Sequence, residues 1–334
     1  MKTFHYTDAP IKVFGIPFFE EKKELRRLPE EITESIERLS YFGRRCAGAR
    51  LCFRTDAKEF TLKMEYESVS IDKGMSLFSC QSAFVLAGDR ANPTYLGLAG
   101  PDNYDTTVFE KNFKKSDCME DITIWFPRNE VVTNIEITID DTAKIEEPTP
   151  YMSIKPILYY GSSITEGGHS TTCFNGYNAI LSSRLNVDYY NLGFSGSAYG
   201  EPEIAEYINT IDFSIFVYDY DHNAPDVEHL EKTHQPFFEI IRKAHPYVPV
   251  LMLTRPAVKY NAEEVQRRKI VETTYMNAKN NGDKNVYFID GESYFGDTER
   301  FRCTLDGTHP NDIGMLRMAN TIEPVLREII SELK

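Results

Sequence analysis

No apolar run in this sequence is long enough to cross a bilayer. The opening stretch, Met1-Lys-Thr-Phe-His-Tyr-Thr-Asp8, has no apolar core of the signal-peptide kind. A cytoplasmic protein is the default expectation, with a removed leader left open. Basic clusters are missing too: 51 acidic residues stand against 37 Lys plus Arg, a net charge of −14. Phosphate binding needs clustered cations, so nucleic acid and anionic membrane are excluded as partners. A neutral small-molecule or oligosaccharide substrate fits this balance, and a homo-oligomer stays open. The six cysteines, Cys46, Cys52, Cys80, Cys118, Cys173 and Cys303, form no C-x-x-C. None of them clusters with histidine at metal-ligand spacing. They read as reduced, mostly buried thiols, and no metal or cofactor is expected. Neither G-x-x-x-x-G-K-[ST] nor G-x-G-x-x-G occurs, so a nucleotide fingerprint is absent. There is no internal repeat and no low-complexity segment.

What is present centres on Ile157-Leu-Tyr-Tyr-Gly-Ser-Ser-Ile-Thr-Glu-Gly-Gly168. Four apolar, β-prone residues stopping at a glycine predict a short buried strand. Ser162 and Ser163 then lie just past its carboxyl end, where open α/β sheets bind ligands. A serine there is a candidate nucleophile if a base reaches it. The alternative is a turn whose serines satisfy backbone groups. Near the chain's end, Asp306-Gly-Thr-His309-Pro310-Asn311 sets a carboxylate three residues before an imidazole. That spacing lets the carboxylate take one ring nitrogen while the other faces outward, the orienter and base of a serine relay. The alternative is a polar turn capping the last helix. Between them, Asn191-Leu-Gly-Phe-Ser-Gly196 and Tyr218-Asp-Tyr-Asp-His-Asn223 each follow an apolar run.

Taken in order, these four blocks resemble the SGNH (GDSL-type) hydrolase superfamily over about residues 152–334. The resemblance implies Ser163 as nucleophile and Asp306 and His309 as its relay. It implies an oxyanion hole from the Ser163 and Gly196 amides and the Asn223 side chain. Ser162 stands where the family carries aspartate. An α/β-hydrolase is set aside, because G-x-S-x-G fails at Thr165 and the Asp and His lie three apart. His169, Phe194, Tyr199, His222 and Arg255 are candidates for the substrate pocket. For each the alternative is local structure: packing for the aromatic rings, hydrogen bonding or ion pairing for the rest. His234 reads as structural.

Residues 1–150 and 151–334 read as two domains, joined at Glu146-Glu-Pro-Thr-Pro150. One short amphipathic helix is expected over Leu28–Leu39. Alternating strands are expected at Arg50–Thr55, Glu59–Tyr66, Gln81–Leu86, Thr107–Glu110, Ile122–Phe126 and Val131–Ile139, with loop and strand over Ile71–Phe78. Such short runs suggest an antiparallel β-sandwich or jelly roll. Beyond the linker, strands at 156–160, 187–192, 212–219, 248–254 and 285–290 alternate with helices at 176–185, 201–209, 226–245, 261–281 and 310–333. Strict alternation implies right-handed crossovers and a three-layer αβα, doubly wound, five-stranded parallel sheet. The pairing resembles two-domain carbohydrate esterases with an N-terminal β-sandwich. Loops near Gly74 or Asn92-Pro93 are expected to wall the site; the alternative is that the domain only stabilises the hydrolase.

The reading is a serine esterase removing a short acyl group, acetyl above all, from a carbohydrate. Two alternatives stay open: a lipase or thioesterase for longer chains, and a non-catalytic carbohydrate-binding protein on this fold.

Overall fold

The computed structural model describes residues 1–72, 75–103 and 105–333. Its second half is built on five parallel strands in the spatial order Tyr189–Gly193, Ile157–Gly161, Ile215–Asp219, Val250–Leu253, Val286–Ile289. Every residue of Ile157–Gly161 is buried, because helices cover both faces of the sheet. Leu158, Tyr160, Tyr218 and Met252 pack into one core with the helices Pro202–Ile208, Val227–Ala244 and Ala262–Asn280. Their neighbours Ile157, Tyr159, Val217 and Leu251 face the opposite way. They meet the helices Tyr177–Leu185 and Asp312–Glu332. The strand order reverses beside Ile157–Gly161, so the crevice for a ligand opens at that strand's carboxyl end. Among the described residues, no helix is long and apolar enough to cross a membrane.

The first half carries two antiparallel sheets facing one another across a shared core that includes Phe53, Phe60, Leu62, Ile124 and Ile137. Arg50–Thr55 and Glu59–Tyr66 match their expected bounds. Lys2–His5, Lys12–Phe14, Thr94–Ala99 and Ile145–Glu146 are strands that the sequence pattern does not announce. Thr94–Ala99 carries Gly97 at φ +139, next to a register shift opposite Val85 and Leu86, which breaks the alternation. Within Ile71–Phe78 the expected strand is instead the start of a short helix, Leu77–Gln81, capped by Ser76. Lys73 and Gly74 lie outside the described residues.

The expected helix over Leu28–Leu39 divides. Glu30–Ser35 is helical, Ile36 leaves the helical region at φ −125 and ψ 83, and Ser40–Arg44 forms a second helix. The break lets Leu28, Ile36 and Leu39 enter the core of the parallel sheet, while Phe84 and Trp125 of the antiparallel half enter the core on its other face.

Candidate active site

Ser162 caps a four-residue helix, Ser163–Glu166, its hydroxyl accepting the Ile164 amide at 3.2 Å. So short a helix cannot hold its own orientation, and contacts hold it instead. A Cβ at Gly161 would lie 2.2 Å from Thr165 Oγ1 and 2.4 Å from the Asp219 carbonyl, so only glycine fits that turn. Thr165 Oγ1 donates to Asp219 Oδ2 at 2.7 Å, and the Tyr177 hydroxyl donates to the same oxygen at 2.8 Å. Burial pushes the Asp219 carboxyl up to about 7, against the pull of those two donors. Arg27 is wholly buried and donates to the carbonyls of Asn191 and Gly193 at 3.0 and 2.7 Å. It also pairs with Glu166 Oε1 at 3.0 Å. The other Glu166 oxygen accepts from the Ser195 amide and hydroxyl, next to Gly196.

The late turn is closed by a bridge between Thr304 and Pro310, with Gly307 at φ +96. Asp306 Oδ1 accepts the amides of Thr308 and His309 at 3.0 and 2.8 Å. Asp306 Oδ2 takes His309 Nδ1 at 2.7 Å, and His309 Nε2 lies 2.9 Å from Ser163 Oγ. Partial burial raises the Asp306 carboxyl, but the bonds from His309 and Thr308 outweigh it and hold the group well below the usual carboxylate range. Asn311 caps the last helix, which begins at Asp312 rather than at 310. Asp312 accepts Thr171 through its amide at 2.9 Å and its hydroxyl at 2.6 Å, which ties this turn to the serine loop.

Gly196 and Asn223 follow the strands on either side of Ile157–Gly161, so they flank Ser163. Gly196 has φ +64, and an added Cβ would meet nothing within 4 Å, so backbone conformation rather than space demands glycine there. The Asn223 amide is half-buried, and its Oδ1 has no hydrogen-bond partner.

Of the expected pocket residues, two meet the histidine. The ring centroids of His169 and His222 lie 4.6 and 5.4 Å from that of His309. Burial, then Arg255 and His309, push the His222 imidazole down to about 3, so it stays neutral. Arg255 pairs with Glu264 at 2.7 Å and donates to Thr308 of the Asp306–His309 turn, which makes it a support of that turn. Phe194 is a correction. It is fully buried against Tyr160, because it continues the inward face of its strand. The Tyr199 ring is occupied by Arg38, 4.1 Å away, and by an edge contact with His229. His234 is buried, with Nδ1 2.8 Å from Thr274 Oγ1. The ligating atoms of His169, Asp306 and His309 converge within 4.8 Å, a group able to hold a metal ion, although both His309 nitrogens already face Asp306 and Ser163.

The supports that sequence reasoning passed over are Arg27, Glu166, Asp219 and Asp312. Asp219 alone carried a local signal, as the polar residue ending the apolar run from Phe213 to Tyr218. The Asn92-Pro93 loop is a further correction. Arg90 beside it bonds Asn186, before the start of strand Tyr189–Gly193 and so at the edge opposite Ser163. Ser76 borders the serine loop instead, donating to the Thr171 carbonyl at 3.2 Å.

Residues 154–327 match the model of the GDSL-like lipase/acylhydrolase family, and residues 3–145 match that of the N-terminus of SGNH-hydro-type esterases. No curated protein matches the sequence. Several solved structures share its fold. A candidate GDSL-like lipase from Bacteroides ovatus ATCC 8483 superposes with TM-score 0.87 at 20% identity, covering 99% of this chain and 98% of that one. The salicylyl-acyltransferase SsfX3 of a tetracycline biosynthetic pathway gives 0.79 at 18%, covering 99% and 97%. A family two carbohydrate esterase from Cellvibrio japonicus gives 0.64 at 14%, covering 100% and 99%.

Proposed function

This chain belongs to the GDSL-like lipase/acylhydrolase family, and from that premise we propose that it is a serine esterase removing a short acyl group, acetyl, from a carbohydrate. One observation carries the chemistry: the continuous line Ser163 Oγ, His309 Nε2, His309 Nδ1, Asp306 Oδ2, with links of 2.9 and 2.7 Å. Ser163 Oγ attacks the ester carbonyl carbon as its proton passes to His309 Nε2. Asp306 holds the Nδ1 proton and stabilises the imidazolium. The oxyanion forms among the Ser163 and Gly196 amides and the Asn223 side chain. The imidazolium returns the proton to the leaving alkoxide as the C–O bond breaks. Water then attacks the acyl-enzyme, giving its proton to His309 Nε2, which passes it to Ser163 Oγ as that C–O bond breaks and the acid leaves.

The carbohydrate part is supported by likeness to family two carbohydrate esterases along the whole chain, and by a cleft in the first half that begins next to Ser76. A cleft of about 950 Å³, lined by Leu77, Phe78, Gln81, Leu98, Asn103 and Val108, opens next to Ser76, and the exposed Phe78 offers a ring to a sugar. The test is a series of 4-nitrophenyl acetate, butyrate and octanoate beside an acetylated sugar, with a fluorophosphonate labelling Ser163. Acetate and the acetylated sugar are expected to lead. A preference for octanoate moves the reading to a lipase or thioesterase, and an unlabelled, inactive protein moves it to a binding module. An alcohol added to the assay reports whether water or an alcohol drains the acyl-enzyme.

A further inference from the structure

Two buried arginines from the first half reach the turn that carries Ser163, and they differ in one respect. Arg27 is matched by Glu166 and a set of carbonyls. Arg128, 2% exposed, meets no carboxylate within ion-pair distance among the described residues. Its Nε and Nη1 have no hydrogen-bond partner. Its Nη2 meets two sulfur atoms, Cys80 Sγ at 3.3 Å and Met75 Sδ, and sulfur is a weak acceptor. Cys173, another neighbour, offers no counter-charge, since burial pushes its thiol up. Among the described residues Arg128 forms no ion pair. A guanidinium stays charged in any protein setting, so this is a buried, unbalanced cation, which a fold carries at a cost.

The backbone fixes where that cation sits. The amides of Arg128 and Asn129 donate to the carbonyls of Ser79 and Cys80 at 3.0 and 3.1 Å, seating the segment on the helix Leu77–Gln81. The side chain then reaches Gly168. A Cβ built there would lie 3.4 Å from Arg128 Nη1 and 3.5 Å from Ser163 Cβ. Cation and nucleophile thus adjoin one glycine. The reaction proposed for Ser163 begins with a neutral ester and passes through an anionic tetrahedral adduct. A fixed positive charge that lacks a partner in the resting state interacts more strongly with that adduct than with the ester.

The geometry points to Arg128 as a positioning residue that acts through Gly168 and its field, without touching the reacting atoms, to favour the anionic adduct on Ser163. The inference rests on the esterase reading above. Those two distances put Arg128 Nη1 within about 7 Å of Ser163 Cβ; at an effective dielectric of about 20, one unit charge acting on the adduct over roughly 7–10 Å corresponds to roughly 10- to 100-fold in rate.

The experiment compares wild type, Arg128→Met and Arg128→Lys on 4-nitrophenyl acetate, with phenylboronic acid as a probe that forms an anionic tetrahedral adduct on serine. In Arg128→Met, kcat is expected to fall roughly 10- to 100-fold and the boronate Ki to rise by a similar factor, with KM for the neutral ester changed less than about twofold. Its melting temperature is expected to stay or rise, because an unpaired buried charge has been removed. Arg128→Lys is expected to keep most of the activity. Wild-type kcat and boronate affinity in Arg128→Met overturn the inference. So does a lowered melting temperature or a failure to fold, since Arg128 is then structural. So does an Arg128→Lys variant as slow as Arg128→Met, since shape and not charge is then at work. A wild type that neither hydrolyses the ester nor binds the boronate overturns the esterase reading, and this inference with it.

Discussion

Ser163→Ala deletes the oxygen that His309 Nε2 meets at 2.9 Å, and His309→Ala deletes the acceptor of its proton. Each is expected to lower kcat by at least about 10⁴-fold, and Asp306→Asn by a similar or smaller factor, with circular dichroism unchanged. Near-wild-type turnover in Ser163→Ala would place the nucleophile elsewhere. The pH profile adds a signed expectation. Asp306 is held well below the usual range, so it remains a carboxylate throughout mild acid. The acid limb of kcat/KM therefore does not come from Asp306, and in Asp306→Asn a limb should persist. That these three residues meet was legible because each sits in a local block. Asp306 and His309 are three apart, and Ser163 follows a strand that ends at glycine. Arg27 was not legible, because its carboxylate partner is 139 positions away. Phe194 misled for a related reason: adjacency to the glycine loop does not say which face a ring takes.

At the scale of elements, the short helix Ser163–Glu166 depends on what it leans against. Glu166 and Arg27 are both fully buried at their side chains. Arg27→Met leaves a carboxylate buried without its cation, which is expected to cost about 3–5 kcal/mol in a urea or thermal unfolding curve. Arg27→Met with Glu166→Gln should recover part of that loss, and a single variant as stable as wild type would mean that the pair carries no structural weight. Arg128→Met is expected to behave the other way and keep or raise the melting temperature, because no carboxylate among the described residues balances that arginine. The sequence pattern announces the hydrolase half well, because buried parallel strands are continuous apolar runs and two of the helices between them, Val227–Ala244 and Ala262–Asn280, are long. It announces the first half less well. Lys2–His5 and Ile145–Glu146 are short strands at sheet ends with polar residues, and Gly97 hides a strand behind a bulge.

For the whole molecule, the shift in composition at Glu146–Pro150 says that two patterns meet there, but not that the two parts share their cores. Leu28, Ile36 and Leu39 complete one face of the parallel sheet's packing, and Phe84 and Trp125 complete the other. Arg50, also buried, pairs with Asp188 beneath them, and its guanidinium lies 4.7 Å from the Tyr189 ring. A chain of residues 150–334 alone would expose these apolar patches and leave Glu166 and Asp188 without their cations. It is therefore expected to lack a cooperative melting transition and to be cleaved rapidly by protease, while the full chain resists. Its serine turn, released from Arg27, should also lose hydrolysis of 4-nitrophenyl acetate, a substrate too small to need a wall. A fragment that melts cooperatively and cleaves the aryl acetate at the full-length rate would refute the shared-core account. The first half would then be an independent wall, to be tested on the acetylated sugar.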